Sequence, residues 1–163
     1  MLEKIRPASI ADAERILQIY APYVTETPIS FEITIPPLAE IADRIRAYSK
    51  ISPWLVFEHD AKIVGYAYAS PHKSRAAYNF TVETSAYVAP EFQRRGIARK
   101  LYVELFQDLA RRNYHLALAG VVLPNEASVR LHERMGFVFV GTYHEVGFKF
   151  GQWHDVGWWQ RKI

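Results

Sequence analysis

A strand-like run ending in Tyr87-Val88-Ala89-Pro90 leads directly into Glu91-Phe92-Gln93-Arg94-Arg95-Gly96-Ile97-Ala98. From there Ile97, Leu101, Leu105 and Leu109 recur at helical spacing. A strand that turns at a glycine and opens a helix is suited to holding an anion. The first-turn amides lack partners within the helix, the dipole places its positive end there, and glycine lets a phosphate approach the backbone. Arg94, Arg95 and Arg99 add positive charge. Spacing alone fits a plain strand-to-helix connection equally well. The stretch lacks the Lys-Ser/Thr ending of a P-loop, and it carries one glycine where a dinucleotide fingerprint needs three. Upstream, alternation along the strand puts Glu83, Ser85 and Tyr87 on one face and Val82, Thr84 and Ala86 on the other. Glu83 on that face reads as a base lining a cleft or as a solvent-facing glutamate. The histidines at 59, 72, 115, 144 and 154 show no metal-ligand spacing such as H-E-x-x-H, and no metal is expected.

The elements that must position these groups follow from periodicity and punctuation. Residues 3 to 8 read as an opening strand, and Ser9 with Asp12 resembles a capping arrangement before a helix bearing Ile16, Ile19, Tyr20 and Tyr23. A second helix starts at Pro36-Pro37 and ends before Pro53. Trp54 to Glu58 and Lys62 to Ser70 form a hairpin, and Tyr78 to Ala89 is a longer strand. The helix after Gly96 leads to a strand from Leu116 to Leu123. Asn125 caps a fourth helix that runs to Met135 and stops at Gly136, before strands at about 138 to 148 and 154 to 161. Strands on both sides of a βαβ-like passage predict a mixed α/β sheet covered by helices.

Composition narrows the classes. With 163 residues, half of them hydrophobic, the chain suits one domain over residues 1–163. No apolar run approaches the ~20 residues of a membrane span, and the first residues lack the order of a signal peptide, so a cytoplasmic protein without a membrane partner is expected. Zero cysteines exclude disulfides, thiolate zinc sites and a cysteine nucleophile. A net charge of +3 favours anionic ligands weakly, and a charged cofactor fits it as well as nucleic acid does. No helix-turn-helix, RNA-recognition or zinc-finger pattern supports nucleic acid as a partner.

Gln93-Arg94-Arg95-Gly96-Ile97-Ala98 resembles the Q/R-x-x-G-x-G/A signature of GNAT N-acetyltransferases, and Tyr87-Val88-Ala89-Pro90 stands where that family has its preceding strand. Ala98 replaces a frequent glycine, which the pattern permits. The later block from Asn125 to Phe137, with Asn125, Ser128 and Gly136-Phe137, resembles the family's second motif. Phe31-Glu32, Arg75-Ala76-Ala77-Tyr78, Thr81-Val82-Glu83-Thr84-Ser85 and Gly151 to Gln160 extend the likeness to the phosphinothricin and methionine sulfoximine acetyltransferase branch. The resemblance implies a mostly antiparallel twisted sheet of about seven strands with about four helices. It implies acetyl-CoA as cosubstrate, held at Tyr87, Val88, Gln93, Arg94, Arg95, Gly96, Ile97, Ala98, Arg99, Asn125 and Ser128.

The same resemblance assigns Glu83 as general base and a backbone amide near Val88 as oxyanion donor. It places His132 where many relatives have a tyrosine near the departing sulfur. A histidine there can protonate the thiolate, assist the base, or be a core histidine. The carboxylate of an amino-acid substrate suits the fork of Arg75, with Lys73 as second choice. Phe31, Tyr78 and Trp153 are expected to wall the pocket with Ser85 near it, and Lys149 and His154 to lie in a late loop near the site and a homodimer contact. Rival readings are a GNAT enzyme for polyamine or protein amines, a CoA-binding sensor without turnover, and a basic nucleic-acid-binding domain.

Overall fold

The computed structural model describes residues 2–163. Its seven strands form one sheet in the order β1-β2-β3-β4-β5-β7-β6. They are β1 (Glu3–Pro7), β2 (Leu55–His59), β3 (Lys62–Pro71), β4 (Thr81–Val88), β5 (Leu116–Leu123), β6 (Val138–Lys149) and β7 (Gln152–Lys162). The helices are α1 (Ala13–Thr25), α2 (Leu38–Tyr48), α3 (Ile97–Arg111) and α4 (Glu126–Arg134). Every strand pair is antiparallel except β4 and β5, the pair bridged by α3. The mixed, mostly antiparallel sheet expected from the sequence is present.

Alternation along the strands builds two cores on opposite faces. Val82 and Val88 of β4 pack with Leu101, Tyr102, Leu105 and Leu109 of α3. On the other face Ile16, Ile19 and Val24 of α1 and Ile41 and Ile45 of α2 pack with Trp54, Val56 and Tyr66, with Tyr87 of β4 against them. Nearly parallel rings strengthen this layer, with Trp54 and Tyr68 centred 4.1 Å apart.

Arg6 ties the outer strands to α1. Its Nε bonds Glu58 at 2.7 Å, and its two terminal nitrogens fork onto Asp12 at 2.8 and 2.9 Å. Asp12 also accepts the Ser9 amide at 2.7 Å, the capping arrangement expected there, although a 3-10 turn (Ile10–Asp12) precedes α1. The Arg6 fork first, and then Ser9, hold the Asp12 carboxyl at about 2, against the cost of burial. A lowered carboxyl stabilises the fold above its ordinary value of 3.8 and loses that contribution as pH falls toward about 2. Wild type is therefore expected to lose more of its stability between these pH values than Asp12→Asn does. The difference is about 1 kcal/mol or less for a partly solvated pair, read from urea midpoints.

Candidate active site

β4 and β5 pair only over Thr81–Glu83 against Leu116–Leu118, although β4 continues to Val88 and β5 to Leu123. Beyond Glu83 the two strands diverge, since β3 holds β4 along its length and β7 holds β5 along its own. The Ala89 amide donates to Val64 of β3 at 2.8 Å, so antiparallel alternation turns the N–H and C=O groups of Thr84, Ala86 and Val88 into the gap. Those backbone groups form a ready edge for an extended ligand. Tyr23 of α1 closes one end, where its hydroxyl donates to Val88 O at 2.5 Å and accepts from Val88 N at 3.3 Å and Gln93 Nε2 at 2.9 Å.

The gap opens onto the turn before α3. Gly96 is its N-cap, with φ of 76°, and a Cβ there would meet nothing within 4 Å. Arg94 also has positive φ, 59°. Left-handed backbone at Arg94 and Gly96 curls the turn around the start of α3, where first-turn amides point outward. Gln93, Arg94, Arg95 and Arg99 are exposed around it, whereas Ile97 is buried and Ala98 half-buried. Arg95 lies over the Phe92 ring at 4.9 Å. Arg99 also borders a separate cleft with Lys4 and Lys100. An open, cationic, amide-lined turn beside an open strand edge fits a pyrophosphate followed by an extended amide chain.

Glu83 is the last paired residue at the lip of the gap, on the α1/α2 side. Ser70 of β3 stands opposite Glu83, so His72, two residues on, is its diagonal neighbour. His72 Nδ1 lies 2.7 Å from Glu83 Oε1. Around this pair stand Tyr78, 5.4 Å from the His72 ring, and Trp158 of β7, 6.4 Å away. Tyr78 and Arg75 border a 3-10 turn (Ala76–Tyr78) rather than the start of β4, which begins at Thr81. Lys73, Ser74, Arg75 and Tyr78 line a cavity of about 500 Å³, and Lys73 Nζ lies 5.4 Å over the Tyr78 ring. Ser85 is half-buried on the same face as Glu83. Tyr87 packs among Tyr20, Tyr23 and Tyr66. Its partly buried side chain packs against the aromatic core of that face.

His132 lies on the opposite face, so the sheet separates the two expected catalytic side chains. It is buried between α3 and α4 with both nitrogens occupied. Nε2 is 3.2 Å from the Tyr102 hydroxyl, and Nδ1 is 2.8 Å from Ser128 O and 3.3 Å from Ser128 Oγ. Burial lowers its pKa, against the bond to Ser128, so the ring is neutral near pH 7. A neutral ring with no open nitrogen is a strut joining two helices. That arrangement favours the core-histidine alternative over delivery of a proton to the departing sulfur. Asn125 Oδ1 accepts the Ser128 amide at 3.1 Å, the helix cap expected of it.

The late segment is strand, not loop. Phe150, with φ of 53°, and Gly151, with φ of 74°, form the two-residue turn joining β6 to β7. Lys149 ends β6, buried, and its Nζ donates to Val24 O and to Ser30 O, both at 2.6 Å. His154 Nε2 is 3.0 Å from Lys149 O. Lys149 clamps the end of α1 to the segment before Phe31 and has both contacts of its ammonium taken up there, while His154 is held to the Lys149 backbone. Phe31 sits over Gly147, where a Cβ would meet its ring at 2.3 Å. Trp153 is 60% exposed and packs on Phe148, ring centres 5.0 Å apart, which places it on an outer surface rather than a pocket wall. Tyr23, His72 and Trp158 were not singled out by sequence reasoning, because only the register and the helix docking bring them to this place. Among the described residues no group of three or more His, Cys, Asp or Glu could hold a metal ion.

A family model described as an acetyltransferase (GNAT) domain matches residues 5–158, and the chain belongs to that family of N-acetyltransferases. A Streptomyces coelicolor phosphinothricin N-acetyltransferase is 42% identical over 98% of this chain and 96% of its own length. An L-methionine sulfoximine/L-methionine sulfone acetyltransferase of Salmonella typhimurium is 32% identical over 98% of this chain and 94% of its own. The crystal structure of a Sinorhizobium meliloti phosphinothricin acetyltransferase in complex with acetyl-CoA superposes with a TM-score of 0.95. That protein is 33% identical and matches 100% of this chain and 89% of its own.

Proposed function

We propose that the chain transfers an acetyl group from acetyl-CoA to the α-amine of a small amino-acid-like substrate of the phosphinothricin, methionine sulfoximine or methionine sulfone type. Transfer is direct, in a ternary complex, with Glu83 as general base. The observation that carries the substrate reading is the cavity of Lys73, Ser74, Arg75 and Tyr78, linked to Glu83 through Tyr78 and His72. Its two cations suit a carboxylate and the linked Glu83 suits an amine, the two ends of an α-amino acid. The substrates in the relatives' names support the same reading. A polyamine would meet Arg75 and Lys73 as repulsion.

Each side chain has a definite task. The turn around Gly96 and the arginines hold the pyrophosphate, and the gap edge at Val88, once released from the Tyr23 hydroxyl, pairs with the extended arm of acetyl-CoA. The Ala86 amide, which faces the gap between Thr84 and Val88, polarises the thioester carbonyl as negative charge develops on its oxygen. Glu83 accepts the proton that the amine gives up as the C–N bond forms and the C–S bond breaks.

Residues 1–163 act as one acetyltransferase domain in the cytoplasm, where acetyl-CoA is abundant. The chain pairs as a homodimer through the outer sheet edge. Phe139, Val140, Tyr143, Val146, Phe148 and Trp153 of the β6–β7 hairpin are each more than half exposed, a patch that solution monomers rarely leave bare.

Arg75→Ala is expected to raise KM for methionine sulfone by at least ~10-fold, the loss of one charge-assisted contact, with KM for acetyl-CoA little changed. The decarboxylated amine should show no such difference between wild type and variant. An unchanged KM for methionine sulfone would move the carboxylate site elsewhere.

A further inference from the structure

We propose that His72 and Glu83 form one catalytic dyad in which His72 Nε2 takes the proton from the substrate amine and Glu83 orients the imidazole. This rests on the acetyltransferase reading above and redistributes the base role within it. The 2.7 Å contact joins Nδ1 to a carboxylate oxygen, and an ionised carboxylate can only accept, so the neutral ring carries its proton on Nδ1. Nε2 then holds a lone pair, and among the described residues it has no hydrogen-bond partner. The His72 side chain is 18% exposed, enough for a ligand to reach it and little enough to fix the ring.

Packing fixes that ring from three elements. Glu83 faces it from β4, Tyr78 from the 3-10 turn and Trp158 from β7. Lys73, the next residue, lies over Tyr78 on the cavity side. Tyr78, which lines the Lys73–Arg75 cavity, thus joins that cavity to the ring that Glu83 holds. A carboxylate that holds a histidine tautomer and stabilises the imidazolium is an efficient way to make a base that works near neutral pH. In the transfer step the amine nitrogen bonds to the thioester carbon and its N–H proton passes to His72 Nε2. The C–S bond then breaks with its electron pair on sulfur. The thiolate takes a proton from water, and His72 returns its own to solvent.

His72→Gln tests the proposal, since glutamine can still donate to Glu83 but offers no basic nitrogen. Its kcat should fall by ~10²-fold or more with KM for acetyl-CoA within about twofold. The acid limb of the kcat–pH profile should disappear with it. In wild type, ¹⁵N spectra of labelled histidine should show neutral His72 protonated at Nδ1. Wild-type kcat in His72→Gln would overturn the proposal, as would a neutral His72 protonated at Nε2. If wild type turns over no small amine, the substrate reading fails and the tautomer alone decides the dyad.

Discussion

Glu83→Gln is expected to lower kcat by roughly 10²-fold or more while acetyl-CoA affinity stays near that of wild type. The substitution keeps size and one hydrogen-bonding oxygen but removes the negative charge. Glu83 lies at the last paired position of β4, clear of the turn at Gly96, so the cofactor surfaces stay intact. With Glu83 as direct base, the variant has no group for the amine proton. With the His72–Glu83 dyad, the imidazolium loses its charged partner and the Nδ1–H keeps only a neutral amide oxygen as acceptor. Glu83→Gln combined with His72→Gln separates these cases. Two members of one unit lose little more together than the worse single variant, whereas independent residues add. Full turnover by Glu83→Gln would remove the residue from the mechanism.

Lys149→Met is expected to destabilise the fold by about 3 kcal/mol, because two buried carbonyls, Val24 O and Ser30 O, lose their shared charged donor. For a chain of this size that corresponds to a fall of about 10 °C in Tm, measured by calorimetry. Methionine retains the aliphatic bulk, so the loss reports the ammonium and not a cavity. Burial lowers the pKa of this lysine against the pull of Glu32, yet two carbonyls at 2.6 Å are what a charged ammonium demands. Because Ser30 precedes Phe31, the same variant should loosen the segment over Gly147 and raise KM for the amine more than it lowers kcat. An unchanged Tm would mean that water replaces both contacts at no cost.

The sequence makes much of the scaffold legible because local signals agree there. The buried run Leu116–Leu123 is a strand to the residue, Pro36-Pro37 opens α2, and Gly96 and Gly136 fall at the positive-φ ends of their helices. The turn before α3 is legible as a strand-to-helix turn from glycine placement, and it becomes a candidate anion site only through the likeness of residues 93–98 to the GNAT signature. Misreadings arise where a distant partner decides. Lys149 and His154 look like loop residues beside Gly151, but Phe150-Gly151 is a two-residue hairpin turn; the Lys149 side chain serves α1 and that of His154 braces β6 at Lys149. His132 looks reactive in its motif, and only the docking of α4 on α3 fills both nitrogens. The pairing of His72 with Glu83 depends on the β3–β4 register, which no local pattern encodes.

The decisive measurement is free-thiol release from acetyl-CoA with methionine sulfone, methionine sulfoximine, phosphinothricin, ordinary amino acids, a polyamine and a peptide as acceptors. Release is expected with one or more of the first three and little with the polyamine or peptide. Release only with the polyamine or peptide would contradict the substrate reading while leaving the family standing. No release with any acceptor, together with tight acetyl-CoA binding, would make the chain a cofactor sensor.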